Sequence, residues 1–120
     1  MLIVLWILLA ILALFFVAAG ATKLVRSRTA LASSGMAWAD DYSAPMVKLI
    51  GAVEVVGAFG LVLPLLTGVA PVLTPIAAIG LAVVMIGAAV THARRKESAV
   101  LQIVVAVLCV AAAILAFALI

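Results

Sequence analysis

Residues 48–64 read KLIGAVEVVGAFGLVLP, the pattern of a membrane helix with one carboxylate near its middle. Four small or polar residues and one leucine fall on or beside one face of a helix with about 3.6 residues per turn: Gly51, Glu54, Gly57, Ala58 and Leu61. Small residues allow a second helix to approach closely. A charged side chain in hydrocarbon costs roughly 2.5–3.5 kcal/mol. The stretch therefore predicts a membrane helix whose Glu54 faces protein or water rather than lipid.

The composition of the chain is that of a membrane protein. Of its 120 residues, 71% are hydrophobic and 9% are charged, and the mean hydropathy is +1.59. Soluble domains average about 45–50% apolar and about 25% charged residues. A soluble protein of this composition would expose apolar patches far larger than soluble monomers tolerate. Lipid is therefore the predicted environment, and membrane lipid is the first predicted partner.

Four hydrophobic segments are long enough to cross a hydrocarbon core of roughly 30 Å, which takes about 20 residues. The predicted helices cover residues 2–24, 46–63, 72–92 and 99–120. Short connections between helices favour antiparallel neighbours. The predicted fold class is all-α: an integral membrane bundle of four transmembrane helices, up-down-up-down, which forms a single domain over residues 1–120.

The longest connection, residues 25–45, is predicted to be a surface loop. Ser27 or Thr29 is placed to cap a short helix within it, which Gly35 would end. The connection between the second and third helices, residues 64–75, contains three prolines and is predicted to be a tight turn.

The basic residues next to the helices form two clusters, after the first and the third predicted helix: Lys23, Arg26 and Arg28, then Arg94, Arg95 and Lys96. Because basic residues near membrane helices favour the cytoplasm, both basic loops are predicted to be cytoplasmic and both termini non-cytoplasmic. The second cluster is also a predicted site for anionic lipid, at about 1 kcal/mol per basic residue. Topology thus accounts for the net charge of +3, and no motif predicts nucleic acid as a partner.

Several short motifs follow one another along the chain: Gly20-Ala21-Thr22-Lys23-Leu24, Gly51-x-x-Glu54-x-x-Gly57-Ala58-x-x-Leu61-x-Leu63-Pro64, Ala77-Ala78-x-Gly80-Leu81, Met85-x-Gly87-Ala88, and His92 before the basic loop. In this order the chain resembles the DoxX-like family of small four-helix membrane proteins. The resemblance implies a protein of the bacterial plasma (inner) membrane. It implies no single activity, because members include the membrane subunit of a thiosulfate:quinone oxidoreductase and a partner in a thiol-stress complex. The small residues at the predicted helix-packing positions are Gly20, Gly51, Gly57, Ala58, Gly80 and Gly87.

Glu54, His92 and Lys23 form the predicted intramembrane polar site. Glu54 is either a structural carboxyl, protonated or paired with Lys23, Lys48 or His92, or a group that handles a ligand, a quinone or a proton. His92 is an interfacial residue at a helix C-terminus, a proton donor to a quinone, or a haem ligand that needs a second histidine from another subunit. Lys23 is most simply an anchor whose ammonium extends to the interface, with pairing to Glu54 as the alternative.

The sequence contains no nucleophile–base pair, phosphate-binding loop or metal-ligand cluster, and we predict no metal site. Asp40 and Asp41 have no third ligand nearby and are predicted to be solvated. We expect an accessory or scaffolding subunit of a larger membrane complex, whose partner is a larger membrane protein or a second copy of the chain. The alternative is a quinone-binding membrane subunit of an oxidoreductase that uses Glu54 and His92, with quinone as its cofactor. The sequence contains no self-contained catalytic motif; it leaves enzyme activity open but favours a chain that is not an enzyme by itself.

Overall fold

The computed structural model describes residues 1–120, which are 84% helical and form no strand. The elements, in chain order, are α1 (Leu2–Val25), α2 (Arg28–Ser33), a 3-10 helix (Ala37–Asp41), α3 (Ala44–Thr67), α4 (Leu73–Arg94) and α5 (Val100–Leu119). Four of them, α1, α3, α4 and α5, are long and apolar enough to cross a membrane. The predicted all-α membrane bundle is confirmed.

The four long helices form a closed ring. Helix α1 contacts α3 and α5, and α4 contacts the same two helices from the other side. The chain therefore runs up, down, up and down around the bundle. We call the end with residues 26–43 and 95–99 the basic end, and the end with both termini and residues 68–72 the terminal end.

The core of the bundle follows from helical spacing. On α1 the buried residues recur at steps of three or four, at Leu5, Leu9, Leu12 and Phe16. On α5 the facing residues are mostly small, which lets the helices approach closely. Large apolar side chains such as Phe59 cover the outer faces as well. Helices that are hydrophobic on all sides suit a lipid environment.

Helix α3 ends later than the sequence predicts. It continues through Pro64 to Thr67, so the connection to α4 is residues 68–72 rather than the predicted turn over 64–75. Pro64 removes the hydrogen bond to the carbonyl of Gly60, a loss that transmembrane helices tolerate. The actual stop is Gly68, whose φ of +74° is left-handed and whose N–H bonds to the carbonyl of Pro64.

The connection between α1 and α3 is folded onto the basic end. As predicted, Ser27 caps a short helix, because its Oγ accepts a hydrogen bond from the N–H of Ala30, and Gly35 follows that helix with φ of +98°. Three residues, Leu31, Ala39 and Val47, form a small second core under this segment. The segment is therefore packed against the bundle.

Lys48 closes the C-terminal end of α1. Its ammonium donates hydrogen bonds to the backbone carbonyls of Lys23, Leu24 and Arg26, at 3.0, 2.7 and 2.6 Å. The last carbonyls of a helix have no partner within the helix, and a cation there also interacts favourably with the negative end of the helix dipole. The Lys48 ammonium is thus bound to the C-terminal end of α1 and is not the partner of Glu54.

Candidate functional site

A cavity of about 470 Å³ opens at the basic end, between the four long helices and the segment that precedes α3. Ligand sites commonly have volumes of about 300–1,000 Å³ and mostly apolar walls. Most lining residues here are apolar, and the polar and ionisable ones are Lys23, Tyr42, Glu54, Thr91, His92 and Gln102. The structure thus brings the predicted Glu54, His92 and Lys23 to one cavity.

Helical spacing explains why these side chains meet. On α1, Ala19 and Lys23 are four residues apart and line the same wall. On α3, Ile50 and Glu54 repeat this spacing. Two turns separate Met85 from His92 on α4. Helices α1, α3 and α4 therefore each present one face to the cavity, and α5 contributes Leu101 and Gln102.

Lys23 and Glu54 form a buried ion pair. The Lys23 Nζ lies 2.7 Å from the Glu54 Oε1, and the two side chains are 9% and 1% exposed. The Lys23 Nζ also lies 5.6 Å from the centre of the Trp38 ring, a cation–π distance. The simpler interpretation of Lys23, an anchor extending to the interface, is therefore wrong in this structure. The alternative, pairing with Glu54, is what the chain adopts.

The ion pair depends on a close crossing of α1 and α3. A Cβ added to Gly20 would lie 2.6 Å from the Gly51 carbonyl oxygen, and one added to Gly51 would lie 2.8 Å from both the Gly20 oxygen and the Lys23 Cβ. Two glycines facing each other let the backbones touch. This contact places Lys23 beside Glu54, one turn further along α3.

The other predicted packing residues divide into two groups. An added Cβ on Gly57 would lie 2.7 Å from the Leu81 side chain, and Ala58 is buried in the main core. Gly80 and Gly87 have no atom within 4 Å of an added Cβ. Gly87 lines the cavity, whereas Gly80 lies exposed on α4. Packing of Gly80 against a partner stays a prediction.

His92 is held between two side chains. Its Nδ1 lies 3.1 Å from the Glu97 Oε1, and its Nε2 lies 3.4 Å from the Gln102 amide nitrogen. Because an amide nitrogen only donates, a neutral His92 accepts at Nε2 and carries its proton at Nδ1, towards Glu97. Lys96, at φ of +59°, ends α4 and lets the Glu97 N–H reach the His92 carbonyl. That turn is what brings Glu97 back to His92.

Aromatic residues from the preceding segment line the cavity near Lys23. The rings of Trp38 and Tyr42 meet edge to face at 5.9 Å. The Thr91 hydroxyl donates to the Gly87 carbonyl at 3.0 Å, so Tyr42 is the donor in its hydrogen bond to Thr91. Residues 37–42 are thereby tied to α4.

Arg95 is a second tie, because its guanidinium bonds to the Asp41 carboxylate at 2.9 Å and lies 3.6 Å from the Glu97 carboxylate. The hydrogen bond and charge of Asp41 raise the pKa of Arg95 above its ordinary value. Asp41, which was predicted to be solvated, is instead paired with the Arg95 guanidinium. Arg94 and Lys96 are exposed and form no ion pair.

Among the lining residues with polar groups, sequence reasoning missed four: Trp38, Tyr42, Thr91 and Gln102. Gln102 had a usable signal, because it is the one amide in the last hydrophobic segment. Trp38 and Tyr42 had none, since their position depends on how the preceding segment folds back over the bundle.

A family model described as the DoxX-like family matches residues 7–115 of the chain. No curated protein and no solved structure matches the chain.

Proposed function

We propose, from the premise that the chain belongs to the DoxX-like family, that this multi-pass membrane protein is a subunit that binds a quinone-class ligand in the cavity at its basic end. The observation that carries the proposal is the buried Lys23–Glu54 ion pair on the wall of a largely apolar cavity. A desolvated charged pair is costly to maintain, so its position on the wall of a ligand-sized space favours a binding role.

The polar groups suit a ring with acceptors at opposite ends. A quinone carries two carbonyl oxygens, and each needs a donor. The Lys23 ammonium has three N–H donors, and its ion pair with Glu54, with Nζ 2.7 Å from Oε1, leaves donors for a ligand. On α5, the Gln102 amide has a second N–H besides the one that it donates to His92, and this N–H is the donor for the second carbonyl. Apolar side chains, including Phe15 and Met85, line the same cavity.

The test is binding of decylubiquinone to the purified protein in detergent. Trp38 lines the cavity, whereas Trp6 lies near the other end of α1, about 25 Å from Lys23 by helical rise. A Trp6→Phe background therefore makes Trp38 the only tryptophan and the reporter. We expect decylubiquinone to quench this fluorescence. Glu54→Gln breaks the ion pair that positions Lys23, and His92→Ala removes the acceptor that orients the Gln102 amide. Each should weaken binding by about tenfold, or ~1.4 kcal/mol, in line with losing one hydrogen bond to the ligand.

Gly80→Ala is the matched control, because Gly80 is exposed on the outer face of α4 and should leave decylubiquinone binding unchanged. Equal affinity in wild type, Glu54→Gln and His92→Ala would contradict quinone binding in this cavity.

A second candidate function is an accessory or scaffolding role in a larger membrane complex. The observation that favours it is the exposed Gly80, where a helix of a larger membrane protein or of a second copy has room for close approach. Gly51 and Gly57 cannot serve this role, since both pack inside the bundle. Gly80→Leu should reduce the partner's recovery in native mass spectrometry, while Val83→Leu, also exposed on α4, should not. Equal recovery from both variants would rule out packing at Gly80.

The proposed location is the bacterial plasma membrane, with the basic end in the cytoplasm and both termini on the other side. Its support is the position of Arg26, Arg28, Arg94, Arg95 and Lys96, all of which lie at one end of the bundle. Basic residues that flank membrane helices are retained on the cytoplasmic side.

A further inference from the structure

The outer surface of the bundle carries a groove between α4 and α5, separate from the cavity described above. Its volume is about 550 Å³, and all of its lining residues are hydrophobic. Alanines from both helices form much of it: Ala89, Ala93, Ala99 and Ala106. Larger residues such as Ile86 and Val110 lie deeper towards the terminal end.

The length of the groove matches one leaflet of a membrane. From Ile86 to Ala93 it extends about 10 Å along α4, and from Ala99 to Val110 about 16 Å along α5, at roughly 1.5 Å per residue. Half of a hydrocarbon core of roughly 30 Å is about 15 Å. A groove of this depth accommodates an acyl chain. A transmembrane helix of a partner would need a groove along the whole bundle.

The aqueous end of the groove carries unpaired positive charge. Ile86, Val90 and Arg94 follow one another at four-residue steps, so Arg94 continues the stripe that lines the groove. Lys96 lies in the turn between α4 and α5. Neither forms an ion pair, because Asp41 and Glu97 are engaged by Arg95 and His92.

We infer that the groove and the two cations, Arg94 and Lys96, form a binding site for an anionic phospholipid. One acyl chain lies between α4 and α5, and the phosphate meets the two basic side chains at the membrane surface. Basic residues near the membrane surface attract anionic headgroups, and this attraction selects phosphatidylglycerol over a zwitterionic lipid with the same chains.

The test is native mass spectrometry of the whole protein in mild detergent, with added phosphatidylglycerol or phosphatidylcholine of identical acyl chains. We expect wild type to retain phosphatidylglycerol about tenfold or more in preference, as two cations of about 1 kcal/mol each allow. Arg94→Gln/Lys96→Gln should lose the preference. Arg94→Lys/Lys96→Arg, which preserves both charges, should keep it.

Arg26→Gln/Arg28→Gln is the control for charge in general, because it removes two basic residues from the same end away from the groove. It should keep the preference for phosphatidylglycerol. Ala89→Leu/Ala93→Leu fills the groove and should lower retention of both lipids, whereas Ala18→Leu, on the exposed face of α1, should not.

Equal retention of the two lipids by wild type would overturn the inference. So would a loss of preference in Arg26→Gln/Arg28→Gln as large as that in Arg94→Gln/Lys96→Gln, since attraction would then be general. If Ala89→Leu/Ala93→Leu changes the oligomeric state and leaves lipid retention unchanged, a helix occupies the groove instead. Thermal unfolding of each variant confirms that it is folded.

Discussion

The stability of the bundle depends strongly on two side chains, those of the buried Lys23–Glu54 ion pair. Removing two charges from water costs several kcal/mol per ion, and their attraction roughly offsets that cost only while both are present. The pair therefore adds little net stability by itself. It makes the structure sensitive to the loss of either partner.

Lys23→Met should destabilise the bundle by about 3 kcal/mol, because Glu54 would remain buried without its cation. The double variant Lys23→Met/Glu54→Gln should recover much of this loss, since it removes the second charge as well. Unfolding by SDS titration, followed by circular dichroism, measures both. Equal destabilisation by the single and the double variant would show that the loss comes from packing rather than from charge.

At the scale of residues, the sequence predicted that Glu54 faces protein or water but not which cation pairs with it. The cost of a carboxylate in lipid was enough to turn Glu54 inward. Three cations were candidates for its partner, and sequence could not choose among them. The choice depends on the register between α1 and α3, which the contact of Gly20 with Gly51 sets. Lys48 was removed from the set by its three bonds to the end of α1.

At the scale of elements, the main difference from prediction is the end of α3. Proline commonly stops a helix in water, and the predicted helix therefore ended before Pro64. Within a membrane the backbone has no water to bond with, so continuing the helix with one lost hydrogen bond is preferable to unwinding it. Gly68 ends the helix instead, because its left-handed φ suits glycine.

The crossing of α1 and α3 gives a prediction for this scale. Gly51→Ala should destabilise the bundle by about 1–3 kcal/mol, because its Cβ would meet the Gly20 oxygen at 2.8 Å and force the helices apart. Gly80→Ala has open space and should gain up to about 1 kcal/mol from better helix propensity. SDS titration compares the two variants. Effects of the same sign would argue against a close crossing at Gly51.

At the scale of the whole molecule, the number and order of the spans followed from hydropathy alone. Segments of about 20 apolar residues fix the spans, and short connections fix the antiparallel ring. The cavity, in contrast, could not be predicted from hydropathy. Its walls come from four helices and from residues 35–42, so its shape depends on angles and on a folded connection that no periodicity encodes.

The orientation of the molecule can be tested with single cysteines. Cys109 is fully buried and should not react in the folded protein. Ser33→Cys and Ser98→Cys, both exposed at the basic end, should react with a membrane-impermeant maleimide in inside-out vesicles. Val69→Cys, exposed at the terminal end, should react only in right-side-out vesicles. The reverse pattern would place the basic end outside the cytoplasm.

The closed ring has a consequence for connectivity. Helix α1 begins and α5 ends at the terminal end, and the two helices are neighbours. A short linker could therefore join Ile120 to Met1, and new termini could be opened at residues 68–72, which lie at the same end. Such a circular permutant keeps every helix in its original direction. Both connections at the basic end, including the one whose residues 35–42 line the cavity, remain uncut, so the site should survive a rearranged chain order.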